Sequence, residues 1–262
     1  MMNVLERIVE HKRKELASKR NLVSVEALQQ QPLYRRKTLS LRSSLLDENK
    51  TGIIAEFKRK SPSKGIINGT VDVIRVSNAY AAYGASGISV LTDKDFFGGL
   101  AEDIITARMN EIPILRKDFI VDEYQVYETK ALGADVILFI AACLTADAVK
   151  QLAKLAKHLQ LEVLLEIHDE TELGHICEEI DLVGVNNRDL KTFQVDINRS
   201  IELSKMIPAD KIKVAESGID STDTIKTFRD AGFKGFLIGE RFMKDSDPGA
   251  AFKNFVQQLK QQ

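Results

Sequence analysis

The sequence predicts an α/β fold, a single (β/α)8 barrel with an N-terminal helical extension, from three observations. Beginning at Ile53, eight short apolar segments alternate with eight helical segments, which is the arrangement of this barrel. Gly84, Gly133 and Gly232 each separate a helical segment from the next strand, where a left-handed residue commonly ends a helix. No nucleotide-binding glycine fingerprint follows the first strand, which disfavours the alternative, a doubly wound open sheet.

The predicted strands are short and mostly apolar, as is typical of parallel strands covered by helices. They span residues 53–58, 88–92, 113–118, 135–140, 161–167, 182–186, 212–216 and 235–239. The predicted helices span residues 71–83, 101–110, 122–132, 146–158, 170–179, 198–206, 221–231 and 248–260. Most of them start at a polar residue that can cap a helix, such as Thr145 or Ser221.

Residues 1–50 precede the repeat and are predicted to be an extension of one domain that spans residues 1–262. Residues 3–20 have the pattern of an amphipathic helix, with Leu5, Ile8 and Leu16 near one stripe. A second helical piece is predicted at residues 39–47. Each piece is too short to fold alone, so we expect the extension to pack on one face of the barrel.

Composition limits the function classes that fit the chain. Its 262 residues are 44% hydrophobic but only 6% aromatic, so aliphatic side chains must fill the core. The net charge of −1 argues against a nucleic-acid or membrane partner. Two cysteines, Cys143 and Cys177, are too few for a disulfide scaffold. With no signal-peptide pattern at the N-terminus, we expect a cytoplasmic protein.

Polar residues end several predicted strands at the edge where barrels carry their active sites. Glu56 and Lys58 share one face of the first strand, and opposite charges inside a barrel are costly unless they are paired or used. The other polar strand ends are Lys117, Glu166, Asn186 and Glu216. One such residue often only marks where a strand meets water. Two lysines, three glutamates and an amide on one rim predict an active site.

Two local patterns have a second interpretation. The run from Asn186 to Asp189 could be a turn built from bonds between side chains and the backbone. His168, Asp169 and His175 suggest a metal site, but their spacing matches no two-histidine helix motif. We therefore expect neither a metal nor a cofactor.

The last two strands end in glycine-containing loops, at the position where barrels often bind phosphate. Ser217-Gly218 follows the seventh strand and Gly239 ends the eighth. Glycine lets an anion approach backbone N–H groups. The alternative is a tight turn that needs glycine for its geometry alone.

These motifs resemble the indole-3-glycerol-phosphate synthase family of tryptophan biosynthesis. The most specific motif is the Glu-x-Lys-x-x-Ser-Pro-Ser run from Glu56 to Ser63. The similar segments occur in order along nearly the whole chain, at residues 55–63, 90–93, 115–119, 165–168, 184–190, 215–219 and 237–240. The resemblance implies a lyase that closes an indole ring on 1-(2-carboxyphenylamino)-1-deoxyribulose 5-phosphate, with loss of carbon dioxide and water. It also implies that the N-terminal helices lie over the catalytic mouth.

The resemblance assigns a role to each strand-end residue. Lys117 is the general acid in ring closure, and Glu166 handles protons in dehydration. Lys58 contacts anionic groups of the substrate and is tied to Glu56. Asn186 positions the reacting hydroxyl or carbonyl. Because the strand of Lys117 carries no carboxylate on the same face, we expect Lys117 to release a proton more readily than Lys58.

The remaining roles concern the two ends of the substrate. Glu216 supports the proton network. Ser61 and Arg188 line the polar end, and Phe97 and Phe119 form the pocket for the aromatic ring. The phosphate cradle consists of Ser217, Gly218, Gly239 and the backbone N–H of Glu240.

Two other functions stay open at this point, and so does the state of assembly. A phosphoribosylanthranilate isomerase would act on a related aminoketose but would not need this set of lysines and glutamates. A non-catalytic barrel should have lost at least one of these groups. We expect a monomer or a weak homo-oligomer that can associate with other enzymes of the pathway.

Overall fold

The computed structural model describes residues 3–189 and 194–261 and shows a closed barrel of eight parallel strands. The predicted (β/α)8 fold is confirmed. Leu190, the last residue of one of the similar segments, lies outside the described residues. The strands, numbered 1 to 8 below, are Ile53–Phe57, Gly87–Leu91, Ile114–Lys117, Val136–Ile140, Glu162–Ile167, Leu182–Asn186, Ile212–Glu216 and Gly235–Ile238. Each strand pairs with the next along the chain, and strand 8 pairs with strand 1.

Helices connect the strands on the outside of the barrel. Their bounds are Val73–Ala82, Lys94–Phe97, Ala101–Ala107, Glu123–Ala131, Ala146–His158, Ile197–Ser204, Thr222–Asp230, Glu240–Met243 and Pro248–Leu259, with 3-10 helices at Ala141–Cys143 and Glu170–His175. The helix predicted at residues 170–179 is shorter because Gly174 is a poor helix former and Ile176 is already extended. No helix within the described ranges is long and apolar enough to cross a membrane.

Alternation along the strands creates two separate apolar layers. One layer lies inside the barrel and includes Ile54, Leu115 and Leu164. The other lies between the strands and the helices and includes Ala55 and Leu165. Side chains two residues beyond an inward leucine or isoleucine therefore point into the barrel, at its carboxyl end.

The N-terminal extension is divided between the two ends of the barrel. Its helices are α1 (Val4–Leu22), α2 (Val25–Gln29) and α3 (Leu41–Leu46). Val4, Leu5 and Ile8 of α1 line a cavity at the carboxyl end of the strands.

Helix α3 lies at the opposite end of the barrel. Leu41 packs against Gly87 and Leu45 against Gly235, which are the first residues of strands 2 and 8. Ser44 donates a hydrogen bond of 2.6 Å to the carbonyl of Ser86. The expectation that all of residues 1–50 cover the catalytic face is therefore wrong for α3. The leucines of α3 join the interior apolar layer and close the amino end of the barrel.

Candidate active site

A cavity of about 370 Å³ opens at the carboxyl ends of the strands. Every residue predicted for the site lines it: Glu56, Lys58, Ser61, Phe97, Lys117, Phe119, Glu166, Asn186, Arg188, Glu216, Ser217, Gly218, Gly239 and Glu240. Apolar residues of the interior layer, including Leu138 and Leu237, form its floor. The cavity therefore combines an apolar base with a charged wall, which is the usual composition of a small-molecule site.

Lys117 lies at the centre of the charged wall. Its Nζ is 2.7 Å from Oε2 of Glu166 and 3.5 Å from Oε2 of Glu216. Both carboxylates are buried. Sequence reasoning considered only the strand of Lys117, which carries no carboxylate on the same face, and so missed these two neighbours. Barrel closure brings acidic side chains to it from strands 5 and 7.

The close charges shift the pKa values of this cluster in different directions. Burial opposes ionisation of Lys117, but Glu166 and Glu216 outweigh it and raise the pKa of the ammonium. Burial likewise opposes ionisation of Glu166, but the positive charges of Lys117 and of His168, whose Nε2 is 3.3 Å away, keep its pKa well below the ordinary value. For Glu216, burial together with repulsion from Glu166 and Glu56 raises the pKa to about 8. Near neutral pH the site thus holds an ionised carboxylate beside a protonated one.

The second lysine forms a separate pair. Lys58 donates a hydrogen bond to Oε1 of Glu56, as their shared strand face predicts. A Cβ atom at Gly239 would lie 2.9 Å from Cβ of Glu56, and a Cβ atom at Gly184 would overlap the Glu216 carboxylate. These two glycines therefore leave room for buried carboxylates. A side chain at position 239 would therefore collide with Glu56 whether or not the loop also binds an anion.

Glu166 is held from two further sides. The Nδ2 group of Asn186 donates to Oε1 of Glu166 at 2.8 Å, and the backbone N–H of Arg188 donates to Oδ1 of Asn186 at 3.0 Å. Nε2 of His168 is 3.3 Å from the same Oε1 atom, and the amide of His168 donates to Glu172 at 2.6 Å. Burial opposes protonation of His168, yet the two glutamates raise its pKa to about 10.

Sequence reasoning considered His168 only as a metal ligand and missed its contact with Glu166. The two-residue spacing, which gives both residues the same strand parity, could have indicated it. Among residues 3–189 and 194–261, no three His, Cys, Asp or Glu side chains form a group that could hold a metal ion.

The loop after strand 7 has an unusual backbone. Ser217 and Gly218 have φ angles of 68° and 69°, and a non-glycine residue rarely occupies this left-handed region. The Nδ2 group of Asn187, a buried residue that sequence reasoning missed, donates to the carbonyl of Ser217 at 2.6 Å. Within the described part of the chain, the amides of Gly218 and Ile219 donate to no protein acceptor. Because both residues line the cavity, their N–H groups are available to a bound anion.

The polar and aromatic residues of the cavity follow strands on different sides of the closed barrel, strands 6 to 8 for the polar end and strands 2 and 3 for the aromatic end. Near the polar end, the carboxylate of Glu240 lies 3.4 Å from Lys64 and 3.9 Å from Arg188. At the other end, the rings of Phe97 and Phe119 have centroids 5.9 Å apart. The cavity can therefore accept a molecule with an anionic group at one end and a ring at the other.

A closed parallel barrel with paired lysines and carboxylates at one mouth defines a (β/α)8 enzyme of the acid–base class. A family model for indole-3-glycerol phosphate synthase matches residues 5–255. An indole-3-glycerol phosphate synthase of Bacteroides thetaiotaomicron is 45% identical, over 99% of this chain and all of that protein. One of Acinetobacter baumannii is 43% identical, over 95% of this chain and 94% of that protein. The chain belongs to the indole-3-glycerol phosphate synthase family, a family of decarboxylating lyases.

Solved structures with low identity support the fold alone. A 3-hexulose-6-phosphate synthase from Salmonella typhimurium matches with a TM-score of 0.62 at 13% identity, over 80% of this chain and 98% of that one. A chain of the tryptophan synthase complex of Pyrococcus furiosus matches with a TM-score of 0.60 at 14% identity, over 81% and 99%. The predicted family, fold and enzyme class are confirmed, and the isomerase and non-catalytic alternatives have no support.

Proposed function

We propose that the chain converts 1-(2-carboxyphenylamino)-1-deoxyribulose 5-phosphate to indole-3-glycerol phosphate, with the predicted site residues in the roles given below. The observation that carries this proposal is the group of Lys117, Glu166 and Glu216 inside one cavity that has a ring-lined end and an end rich in N–H groups. Ring closure needs a proton donor at the carbonyl, and the later loss of water needs both an acid and a base.

Lys117 is proposed as the general acid of ring closure. A ring carbon of the substrate attacks the ketose carbonyl carbon, and the carbonyl oxygen takes the lysine proton as the new carbon–carbon bond forms. The carboxylate then leaves as carbon dioxide, and its bonding electrons restore the aromatic ring. The ammonium is held mainly by Glu166, at 2.7 Å, while Glu216 lies further away at 3.5 Å. A protonated Glu216, with a pKa of about 8, reduces this hold and makes the proton easier to transfer.

Glu166 is proposed as the base for dehydration. Its low pKa keeps it ionised, so it can accept the proton that is lost as the indole double bond forms. The hydroxyl group leaves as water after it receives a proton from the cluster. Asn186 fixes the orientation of Glu166 through a hydrogen bond of 2.8 Å, and we place the reacting hydroxyl beside this amide.

The phosphate is proposed to bind the backbone donors of the last two strand-end loops. The left-handed pair Ser217–Gly218 leaves amides free to face an anion, and successive N–H groups of this kind form anion-binding concavities. In the loop after strand 8, Lys64 and Arg188 attract the carboxylate of Glu240. This loop can therefore offer its N–H groups without placing an unpaired negative charge beside the phosphate.

The other substrate groups occupy the rest of the cavity. Lys58, paired with Glu56, and Arg188 are proposed to contact the substrate carboxylate and hydroxyls, with Ser61 beside them. Phe97 and Phe119, whose ring centroids are 5.9 Å apart, are proposed to contact the aromatic ring of the substrate. We also propose a cytoplasmic location and a monomeric or weakly associated state. The half-buried free thiols of both cysteines suit a reducing compartment.

The direct test is incubation of the purified chain with 1-(2-carboxyphenylamino)-1-deoxyribulose 5-phosphate and no added metal or nucleotide. Indole fluorescence and release of carbon dioxide should rise together in equal amounts. Fluorescent product without carbon dioxide, or no product at all, would contradict the proposal. A Glu166→Gln variant, which keeps the shape of the side chain but not the base, is the matched control.

A further inference from the structure

Lys12, on helix α1 and outside the barrel, is a fully buried cation that the proposed mechanism does not use. Its exposed fraction is 1%. Its Nζ lies 3.1 Å from Oδ2 of Asp93, 3.1 Å from Oδ1 of Asp118 and 2.8 Å from Oε2 of Glu15. Burial of an ammonium is costly unless the surrounding charges compensate it, so this position calls for a functional explanation.

One carboxylate held by Lys12 supports the loop that follows strand 2. Oδ1 of Asp93 accepts a hydrogen bond of 2.8 Å from the amide of Phe96, and the carbonyl of Asp93 accepts one of 2.8 Å from Gly99. These bonds start and close the short helix Lys94–Phe97. Phe97 is the last residue of that helix and lines the cavity, so Asp93 sets the position of the first ring.

The other carboxylate supports the loop that follows strand 3. Oδ1 of Asp118 accepts from the amide of Phe119 at 2.8 Å. Its Oδ2 accepts from Thr92 at 2.6 Å and from Arg116 at 3.0 Å. Because Phe119 follows Asp118 directly in the chain, the carboxylate fixes the backbone from which the second ring projects into the cavity.

From this geometry we infer that Lys12 is a positioning residue, which joins Asp93 to Asp118 and thereby sets the spacing of Phe97 and Phe119 for an aromatic ring. The two rings come from different loops, and a single ammonium lies between the carboxylates that organise them. Helix α1 also brings Val4, Leu5 and Ile8 to the same cavity. This inference rests on the proposed function, because it assigns Lys12 to the ring end of the proposed substrate.

The inference separates ring binding from phosphate binding. The Ser217–Gly218 loop is held by Asn187, and within the described residues no hydrogen bond or ion pair joins this loop to Lys12, Asp93 or Asp118. Loss of Lys12 should therefore weaken binding of the aromatic end alone. A residue that only stabilised the fold would reduce the fraction of active protein but leave both affinities unchanged in the molecules that fold.

The experiment measures the binding of two probes by ligand-observed NMR, 2-aminobenzoate for the ring end and inorganic phosphate for the other. In Lys12→Met the dissociation constant for 2-aminobenzoate should rise about tenfold, the scale expected for a displaced aromatic contact. The constant for phosphate should stay within about twofold of the parent value. Lys14→Met, which removes an exposed lysine from the same helix, should change neither.

Two further variants keep the test decisive. Lys12→Arg retains the charge and should recover most of the ring affinity. If Lys12→Met does not fold, Lys12→Met combined with Asp93→Asn removes both charges, and this variant should fold but bind 2-aminobenzoate weakly. Parental ring affinity in a folded variant without the Lys12 charge would overturn the assignment of Lys12. No binding of 2-aminobenzoate by the parent would instead overturn the ring pocket and the proposed function together.

Discussion

The proposed mechanism gives Lys117 and Lys58 different tasks, and their replacement by methionine should separate them. Methionine keeps the length and apolar volume of the side chain but has no proton to give. Lys117→Met should lower the rate of the chemical step by about 10²- to 10⁴-fold, the usual contribution of a general acid. Lys58→Met should raise the dissociation constant of the substrate as well, because Lys58 is proposed to contact substrate anions.

The structure also predicts a loss of stability in Lys117→Met. The ammonium lies 2.7 Å and 3.5 Å from two buried carboxylates. Removal of one partner of a buried ion pair typically costs about 3–5 kcal/mol. His168 still faces Glu166, and Glu216 is already protonated near neutral pH. We therefore expect a cost at the low end, about 3 kcal/mol in the free energy of unfolding.

The assay is rapid mixing with enzyme in excess over substrate and above the dissociation constant, so that the measured rate reports the chemical step. Urea unfolding of the same samples gives the stability. Lys226→Met, which removes a surface lysine paired with Asp230, serves as the control and should match the parent in both assays. A Lys117→Met variant that reacts at nearly the parental rate, with Lys58→Met inactive, would show that Lys58 is the acid.

Four shorter predictions complete the set. Folding raises the pKa of Glu216 from 4.5 to about 8, so its contribution to stability is present below pH 4.5 and lost as the pH rises through 8. Urea unfolding should therefore show a smaller loss of stability from about pH 6 to about pH 9 in Glu216→Gln than in the parent, and equal losses would contradict the shift. Leu41→Ala should lower the free energy of unfolding by about 2.7–5.0 kcal/mol. Leu46→Ala, at a half-exposed position of the same helix, should lower the free energy of unfolding by less than about 0.5 kcal/mol. Similar values for the two variants in urea unfolding would argue against the conclusion that Leu41 closes the amino end of the barrel. Gly218 has a left-handed φ, and a Cβ atom at this position would overlap the side chain of Val195. Gly218→Val should therefore raise KM about tenfold with kcat little changed, and an unchanged KM in steady-state assays would count against this phosphate position. Dialysis against a chelator should leave the rate intact, because side chains supply both acid and base; a large loss that a divalent ion restores would overturn this.

The sequence alone predicted the barrel, which the structure confirms, and a set of strand-end residues that all line the cavity. Strand parity is a local property with a period of two, so Leu115 predicted an inward Lys117 and Leu164 predicted an inward Glu166. The strand-then-helix repeat then placed these residues on one rim, because parallel strands in a barrel all end at the same edge. Both deductions need only the order of residues along the chain.

The sequence did not determine which charged groups meet across the barrel. Lys117 seemed free of carboxylates because its own strand has none on that face, but Glu166 and Glu216 are 49 and 99 residues further along the chain. Barrel closure decides such pairs, and with them which carboxyl keeps a proton, since a pKa depends on burial and on charges within a few ångströms.

The position of the N-terminal extension also required the tertiary structure. An amphipathic pattern shows that a helix must bury one face, but it does not say against what. The helical period places Lys12 on the same stripe as Ile8 and Leu16, but only the packing of α1 over the mouth shows that Asp93 and Asp118 surround its ammonium. Leu41 and Leu45 fill the far end of the barrel for a corresponding reason, because the interior apolar layer is open there until α3 covers it.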